Sequence, residues 1–268
     1  MRSSPLRMDE MAIPANDRNA ILTPADGYAM AGALLTNAAL AGATARTALE
    51  KAQIPVLGNT KPYITQTVPT LTCGSRTNGA VNGASQDVVY ATVKSTYAQT
   101  LNIDGLGASG TVKAGEVFTM AGVNAVNPRT KADLGYLQQF TVLADATANG
   151  SGVMNSLSIS PPIITGGAYQ NVTASPADNA VVTWLGTAGA TYRANAAFHK
   201  TAIKLVNAKL VMPYSGEADY ATDPDTGLTV RYWRYSDGAS DTHNHRWDVF
   251  FGTTNADRRL GVRLSGTP

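Results

Sequence analysis

Cysteine is almost absent from this chain, which has Cys73 alone among 268 residues. An internal disulfide is therefore excluded, and with it the small secreted domain that disulfides hold together. Charged residues are also scarce: they make up 15% of the sequence, against roughly 25% in an average domain. The 21 basic and 19 acidic residues leave a net charge of +2. No run of Lys or Arg is long enough to indicate a nucleic-acid-binding surface.

Long apolar segments are missing as well. No stretch approaches the roughly 20 apolar residues of a membrane span, and the opening MRSSPLRMDEMAIP lacks the apolar core of a signal peptide. We therefore expect neither a membrane location nor a secretion signal. The chain has instead many small and uncharged polar residues, including 25 glycines. This composition favours β structure with many turns and large contact surfaces, in one large domain or two modest ones.

The N-terminal part has helical patterns. Leu6 to Met11 resembles the last turns of a helix that a proline ends, and residues 18–22 are a strand candidate. Thr23 predicts the start of a second helix, because its hydroxyl can accept a hydrogen bond from a first-turn amide and Pro24 suits the first helical position. A further helix is predicted from about Thr44 to Ala52.

From Val56 to about Gly189 the pattern changes to short alternating segments that Gly, Asn and Pro interrupt. The most informative stretch is 111–142, in which two predicted strands flank a turn at Asn127-Pro128. This spacing favours a small β-sandwich or barrel inserted into a larger domain. The predicted strands are Tyr63–Val68, Asp87–Val93, Gln99–Ile103, Val117–Met120, Tyr136–Leu143, Gly152–Ile159 and Val181–Leu185.

Residues 196–266 again have strand patterns. Apolar and polar positions alternate in Leu228–Tyr235 and in Arg259–Ser265, and Asp223–Gly227 has the composition of a turn. This end of the chain is rich in arginine, which we interpret as strand-face charge and ion pairs between subunits, with direct phosphate binding as the alternative. The arginines are Arg231, Arg234, Arg246, Arg258, Arg259 and Arg263.

Two patterns could carry chemistry, and both are weak. On a strand, His243 and His245 would share a face as in some zinc sites, but the third ligand would have to be His199 on another element. A polar hairpin tip explains the two histidines better. Cys73 or a serine with His199 could act as a nucleophile, yet no strained elbow and no base placed by spacing accompanies them. We therefore predict no catalytic, cofactor-binding or metal-binding residue and no enzyme activity.

Eight segments resemble the coat proteins of tailed phages of the P22 type, over nearly the whole chain from about Leu6 to Gly266. The first six resemble the insertion domain of these proteins, and the last two the return into the capsid core. The segments are 113–123 (KAGEVFTMAGV), 126–128 (VNP), 137–140 (LQQF), 161–164 (PPII), 167–172 (GAYQNV), 176–180 (PADNA), 195–200 (NAAFHK) and 210–213 (LVMP).

The resemblance implies a major capsid protein that self-assembles into an icosahedral shell. Its fold would be α+β, the C-terminal portion of an HK97-like capsid core with an inserted β-rich sandwich or barrel domain. Residues 1–71 would hold the end of the spine helix and the first part of the core, 72–175 the insertion domain, and 176–268 the return strands. The implied partners are other copies in hexamers and pentamers, scaffolding protein, a portal, and packaged DNA without specificity. The implied location is the virion, after synthesis in the host cytoplasm, with no cofactor.

Relatives in this family carry an N-terminal arm, an extended loop and a spine helix before the segment seen here. We therefore expect either a fragment of a longer gene or a truncated prophage product. Two other functions stay open. One is a β-sandwich adhesion or carbohydrate-binding module that uses the aromatic residues Tyr232, Trp233 and Tyr235. The other is a metal-dependent hydrolase that uses His243 and His245.

Overall fold

The computed structural model describes residues 4–36, 54, 56 and 59–265, so the helix predicted at 44–52 lies outside the described residues. The chain divides into two compact units, residues 1–199 with 261–268, and residues 200–260. Strands dominate, and the described helices are few and mostly short. The elements are α1 (Ser4–Glu10), β1 (Arg18–Leu22), α2 (Pro24–Thr36), β2 (Thr60–Ile64), β3 (Thr70–Thr72), β4 (Gly79–Val81), α3 (Tyr90–Val93), β5 (Gln99–Asp104), β6 (Thr111–Val112), β7 (Val117–Val126), β8 (Asp133–Val142), β9 (Ala146–Thr147), β10 (Met154–Ser160), β11 (Val181–Trp184), β12 (Thr191–His199), β13 (Ile203–Asn207), β14 (Glu217–Thr222), β15 (Thr229–Asp237), β16 (Thr242–Val249), β17 (Phe251–Asn255), a 3-10 turn (Arg258–Leu260) and β18 (Gly261–Ser265).

The N-terminal elements follow the local sequence signals. α1 ends close to the predicted position, β1 spans the predicted residues, and α2 starts at Pro24 directly after Thr23, as predicted. Thr23 Oγ1 donates to Asp26 Oδ2 at 2.6 Å, and the N–H of Asp26 donates back to it at 3.3 Å. This exchange satisfies a first-turn amide that would otherwise lack a partner. The predicted cap is therefore confirmed.

A mixed sheet joins distant parts of the first unit. Its strands lie in the order β18-β12-β1-β2, and β3 pairs with β12 beside this row. β1 is parallel to β2 and antiparallel to β12. β12 pairs with two different strands along its length: residues 191–193 pair with β3, and residues 196–199 pair with β1.

Six of the described strands close a barrel in the order β10-β5-β4-β11-β7-β8. Phe118 on β7 and Phe140 on β8 are fully buried inside it, with ring centroids 5.8 Å apart. The predicted strand Val117–Met120 is confirmed, since it lies within β7. The barrel's last strand, β11, lies beyond residue 175, where we expected the inserted domain to end. Closure requires a strand that pairs with β4 on one side and β7 on the other, and a local pattern does not show such long-range pairing.

One strand prediction is wrong. Residues 87–93 were expected to form a strand, but residues 90–93 form the single turn α3. The N–H of Val88 donates to Ile163 O at 2.9 Å, after which Val89 is 65% exposed and the chain turns. A short apolar run does not distinguish a strand from a helical turn, and here no described strand pairs with it.

Residues 200–260 form the second compact unit, which the sequence patterns did not separate from the return strands predicted at 176–268. β13 pairs with β17, and β14, β15 and β16 form an antiparallel three-stranded sheet. The predicted turn between β14 and β15 is confirmed, since the N–H of Gly227 donates to Asp223 O at 2.8 Å. None of the described helices in the chain is both long and apolar enough to cross a membrane.

Candidate functional site

A buried ion pair lies beside the barrel. Arg76, shortly before β4, pairs with Glu116 immediately before β7, and their side chains are 3% and 1% exposed. Glu116 Oε1 also accepts the N–H groups of Gly74 and Lys113, each at 2.7 Å. The Arg76 guanidinium lies over the ring of Trp184 on β11, 4.2 Å from its centroid. The ion pair therefore connects three chain segments, 74–76, 113–116 and the one that holds Trp184, and neither charged side chain is exposed to a substrate.

Cys73 lies next to this ion pair and is a buried free thiol. Burial raises the pKa of the Cys73 thiol above its ordinary value, and the neighbouring Glu116 carboxylate raises it further. A Cβ added at Gly186 would lie 2.7 Å from Cys73 Sγ, which shows how closely the backbone covers the sulfur. Nucleophilic chemistry needs an accessible thiolate, so this arrangement favours a structural role for the thiol.

The histidines that sequence analysis considered as metal ligands have other partners. His243 Nδ1 hydrogen-bonds Ser236 Oγ at 2.8 Å, and His245 Nδ1 hydrogen-bonds the hydroxyl of Tyr232, both across to β15. His199 lies on β12 in the other compact unit. In the part of the chain that the structure describes, no group of three or more His, Cys, Asp or Glu is arranged to hold a metal ion.

The aromatic residues of the carbohydrate-binding alternative lie on β15 and largely contact one another. The ring centroids of Trp233 and Tyr235 are 4.4 Å apart, and those of Tyr232 and Trp247, the latter on β16, are 4.7 Å apart. Trp233 Nε1 also donates to Ser215 O at 2.9 Å.

The last candidate site is a set of exposed apolar side chains rather than a pocket. Within the described residues of 200–260, Ala202 is the one buried apolar side chain. Trp247, Phe250 and Phe251 are 69%, 59% and 61% exposed. Large apolar side chains that cluster on a protein surface mark sites of contact with other molecules, and this unit exposes many of them for its size. We call these residues, with the others of the same unit, the apolar surface: Ile203, Leu205, Val206, Val211, Met212, Tyr214, Trp247, Val249, Phe250 and Phe251.

Sequence reasoning missed both features. Arg76 and Glu116 stand on separate segments with no spacing that links them, so only tertiary structure brings them together. Phe250 and Phe251 resemble core residues of a strand, because composition alone does not tell exposed from buried apolar side chains. The signal that could have identified the surface is the loss of alternation at 249–251 (VFF), where consecutive apolar residues place apolar side chains on both faces of an extended segment.

Comparison with known proteins gives the family. Residues 4–266 match the family described as "P22 coat protein - gene protein 5". No curated protein matches the chain. Among solved structures, nine chains match. One is described as "CUS-3 coat protein I-domain"; it is 26% identical, with 41% of this chain and 96% of that chain covered and a TM-score of 0.30. The chain belongs to the P22 coat protein family, and its role is therefore that of a structural protein of a phage capsid.

Proposed function

We propose that this chain is a major capsid subunit that assembles with copies of itself into the icosahedral shell around a phage or prophage genome. The observation that carries the proposal is the apolar surface. The unit of residues 200–260 holds one buried apolar side chain among its described residues and exposes at least ten large ones. A domain of this size needs a larger buried core to be stable, and neighbouring subunits would supply the missing contacts.

In this proposal the mixed sheet β18-β12-β1-β2, with α1 and α2, belongs to an HK97-like capsid core. The barrel is the inserted domain, for which we retain residues 72–175 and add the closing strand β11. Residues 1–71 and 176–268 flank it. The shared strand β12 supports this arrangement, because it continues from a strand beside the barrel into the mixed sheet.

The partners that we propose follow from the same role. Other copies would form hexamers and pentamers, scaffolding protein and a portal would take part in assembly, and packaged DNA would be contacted without sequence specificity. The shell subunit would be made in the cytoplasm of the host bacterium and end in the virion. The weakly positive net charge of +2 is compatible with loose contact to DNA and offers little electrostatic affinity of its own.

The test is assembly of the purified chain. Sedimentation velocity over a wide range of protein concentrations, with electron microscopy of the fast fraction, would show closed shells or ring-shaped oligomers if the proposal is right. The same chain should show no metal content and no turnover. A chain that stays monomeric at every concentration, both alone and with the scaffolding protein of a P22-type phage, would refute the proposal.

A further inference from the structure

The three-stranded sheet of residues 200–260 has two free edges. β14 and β16 each pair with β15, and no other strand in the described part of the chain pairs with either outer edge. A free edge presents unpaired backbone N–H and C=O groups to which another chain can add a strand. β14 has six residues and β16 has eight, so both edges are long enough for several backbone hydrogen bonds.

The β14 edge carries carboxylates. Glu217 and Asp219 are two residues apart and therefore lie on the same face of the sheet, and both are exposed. Glu217 Oε2 accepts one hydrogen bond from Arg234 on β15 at 2.6 Å, yet its side chain stays 78% exposed. Asp219 Oδ1 accepts the N–H of Tyr220 at 2.7 Å. Each carboxylate keeps lone pairs for a further donor.

The β16 edge carries donors on that same face. His245 lies opposite Arg234, which in turn lies opposite Glu217, so the register places His245 and Glu217 on one face. His243 shares this face at a spacing of two residues. In each ring Nδ1 is bonded to a hydroxyl on β15, and Nε2 has no hydrogen bond to the described residues. Arg246, 59% exposed, lies on the opposite face of this strand and pairs with Asp248 at 2.6 Å, so the two histidines are the donors that face the carboxylate side.

We propose that β14 of one copy lies beside β16 of the next copy, so that the sheet continues from subunit to subunit. A second copy is the occupant because the chain itself supplies both halves of the match on one face, carboxylate acceptors at the β14 edge and imidazoles at the β16 edge. Contacts between two different patches of identical subunits are heterologous and produce rings when the rotation closes. The inference rests on the proposed self-assembly and assigns it a surface.

The small core of this unit supports the pairing. A three-stranded sheet needs a covered face for stability in water, and the described residues of 200–260 bury only Ala202 and Thr229. Strand addition would give the sheet further backbone hydrogen bonds and would cover Trp247, which lies on β16 next to His245 and is 69% exposed. The competing interpretation is that the edge charges prevent pairing, as they do in many soluble sheets.

Charge reversal separates these interpretations. The acid-edge variant carries Glu217→Lys and Asp219→Lys, the histidine-edge variant carries His243→Glu and His245→Glu, and the combined variant carries all four changes. The control is Asp225→Lys, which makes the charge change of one of the two acid-edge substitutions at an exposed position in the turn after β14. Circular dichroism of each monomer verifies folding, and sedimentation velocity measures the assembled fraction.

We expect each edge variant to lose at least about tenfold in association constant. The histidine-edge variant places carboxylates opposite carboxylates, and the acid-edge variant removes the acceptors and places ammonium donors opposite the imidazoles. The combined variant should regain wild-type assembly, and Asp225→Lys should never lose it. Equal assembly of the wild type and both edge variants would overturn the edge pairing and leave the proposed function intact. Failure of the combined variant to recover would show that the edges meet another surface or partner, which also overturns it. A wild type that does not assemble would overturn both proposals.

Discussion

Replacement of Arg76 by methionine tests how much the buried ion pair beside the barrel contributes to folding. Arg76→Met keeps most of the side-chain volume and removes the guanidinium, which leaves the Glu116 carboxylate 1% exposed and without its cation. Removal of one partner from a buried ion pair destabilises a protein by about 3–5 kcal/mol, because the remaining charge stays desolvated. Loss of the cation–π contact with Trp184 removes roughly another 0.5–2 kcal/mol.

The expected loss is about 3–5 kcal/mol rather than the sum of both terms. Glu116 keeps the N–H groups of Gly74 and Lys113 at 2.7 Å, and these donors offset part of the cost. Addition of Glu116→Gln removes the unpaired charge and leaves an amide oxygen that can accept the same two donors. The double variant should therefore lose less stability than Arg76→Met alone, by at least about 1 kcal/mol.

The matched control is Lys113→Met. It removes an ion pair with Asp145 of 2.7 Å whose side chains are 47% and 58% exposed, and such surface pairs contribute about 0–1 kcal/mol. The Lys113 backbone N–H that binds Glu116 remains. Each variant removes one ion pair, so burial of the pair should decide which variant loses more unfolding free energy.

Denaturant unfolding followed by tryptophan fluorescence provides the measurement. The chain has three tryptophans, and conversion of Trp233 and Trp247 to phenylalanine leaves Trp184, which contacts Arg76, as the reporter of the barrel. Linear extrapolation then gives the free energy of unfolding for each variant. A loss below about 1 kcal/mol for Arg76→Met, or a loss no larger than that of Lys113→Met, would refute the argument.

Three further outcomes are expected from the same unit. Phe118→Ala should lower the free energy of unfolding by about 3–5 kcal/mol because the ring is fully buried, whereas Val181→Ala, at a 55% exposed position, should change it by less than about 0.5 kcal/mol; equal losses would contradict the barrel core. Arg18→Met should cost at least about 2 kcal/mol in thermal unfolding because three buried or part-buried hydrogen bonds are lost, and the exposed Arg129→Met is its control. Cys73 should resist iodoacetamide in the native chain because it is buried. Burial also raises the pKa of the folded thiol, so the stability that the neutral thiol contributes is full below the unfolded pKa and falls as pH rises through the folded pKa. Alkaline pH should therefore lower the free energy of unfolding of the wild type more than that of Cys73→Ala.

Local chemistry explains which parts of the fold could be predicted. Thr23 and Pro24 mark the start of α2 through a cap and a fixed φ, and alternation around Phe118 marks β7, because each signal acts within a few residues. The pairing of β11 with both β4 and β7 depends on residues that are far apart in sequence. The same limit applies to Arg76 and Glu116. The local sequence pattern of a strand does not show which distant segment pairs with it.

The surface of residues 200–260 shows a different limit. The run from Trp247 to Phe251 has the apolar composition of a core strand, yet the described chain covers little of it. Apolar composition indicates that these side chains favour burial, but it does not show whether the same chain or another molecule buries them.

The shared strand β12 has a mechanical consequence. Residues 191–193 are bonded to β3, and residues 196–199 are bonded to β1 in the mixed sheet, with β18 along their other side. Extended backbone that is hydrogen-bonded at both ends resists bending far more than a glycine-rich tether does. Bending between β3 and the rest of the mixed sheet would therefore break these hydrogen bonds, so we expect the segment that leads into the barrel and the mixed sheet to move together.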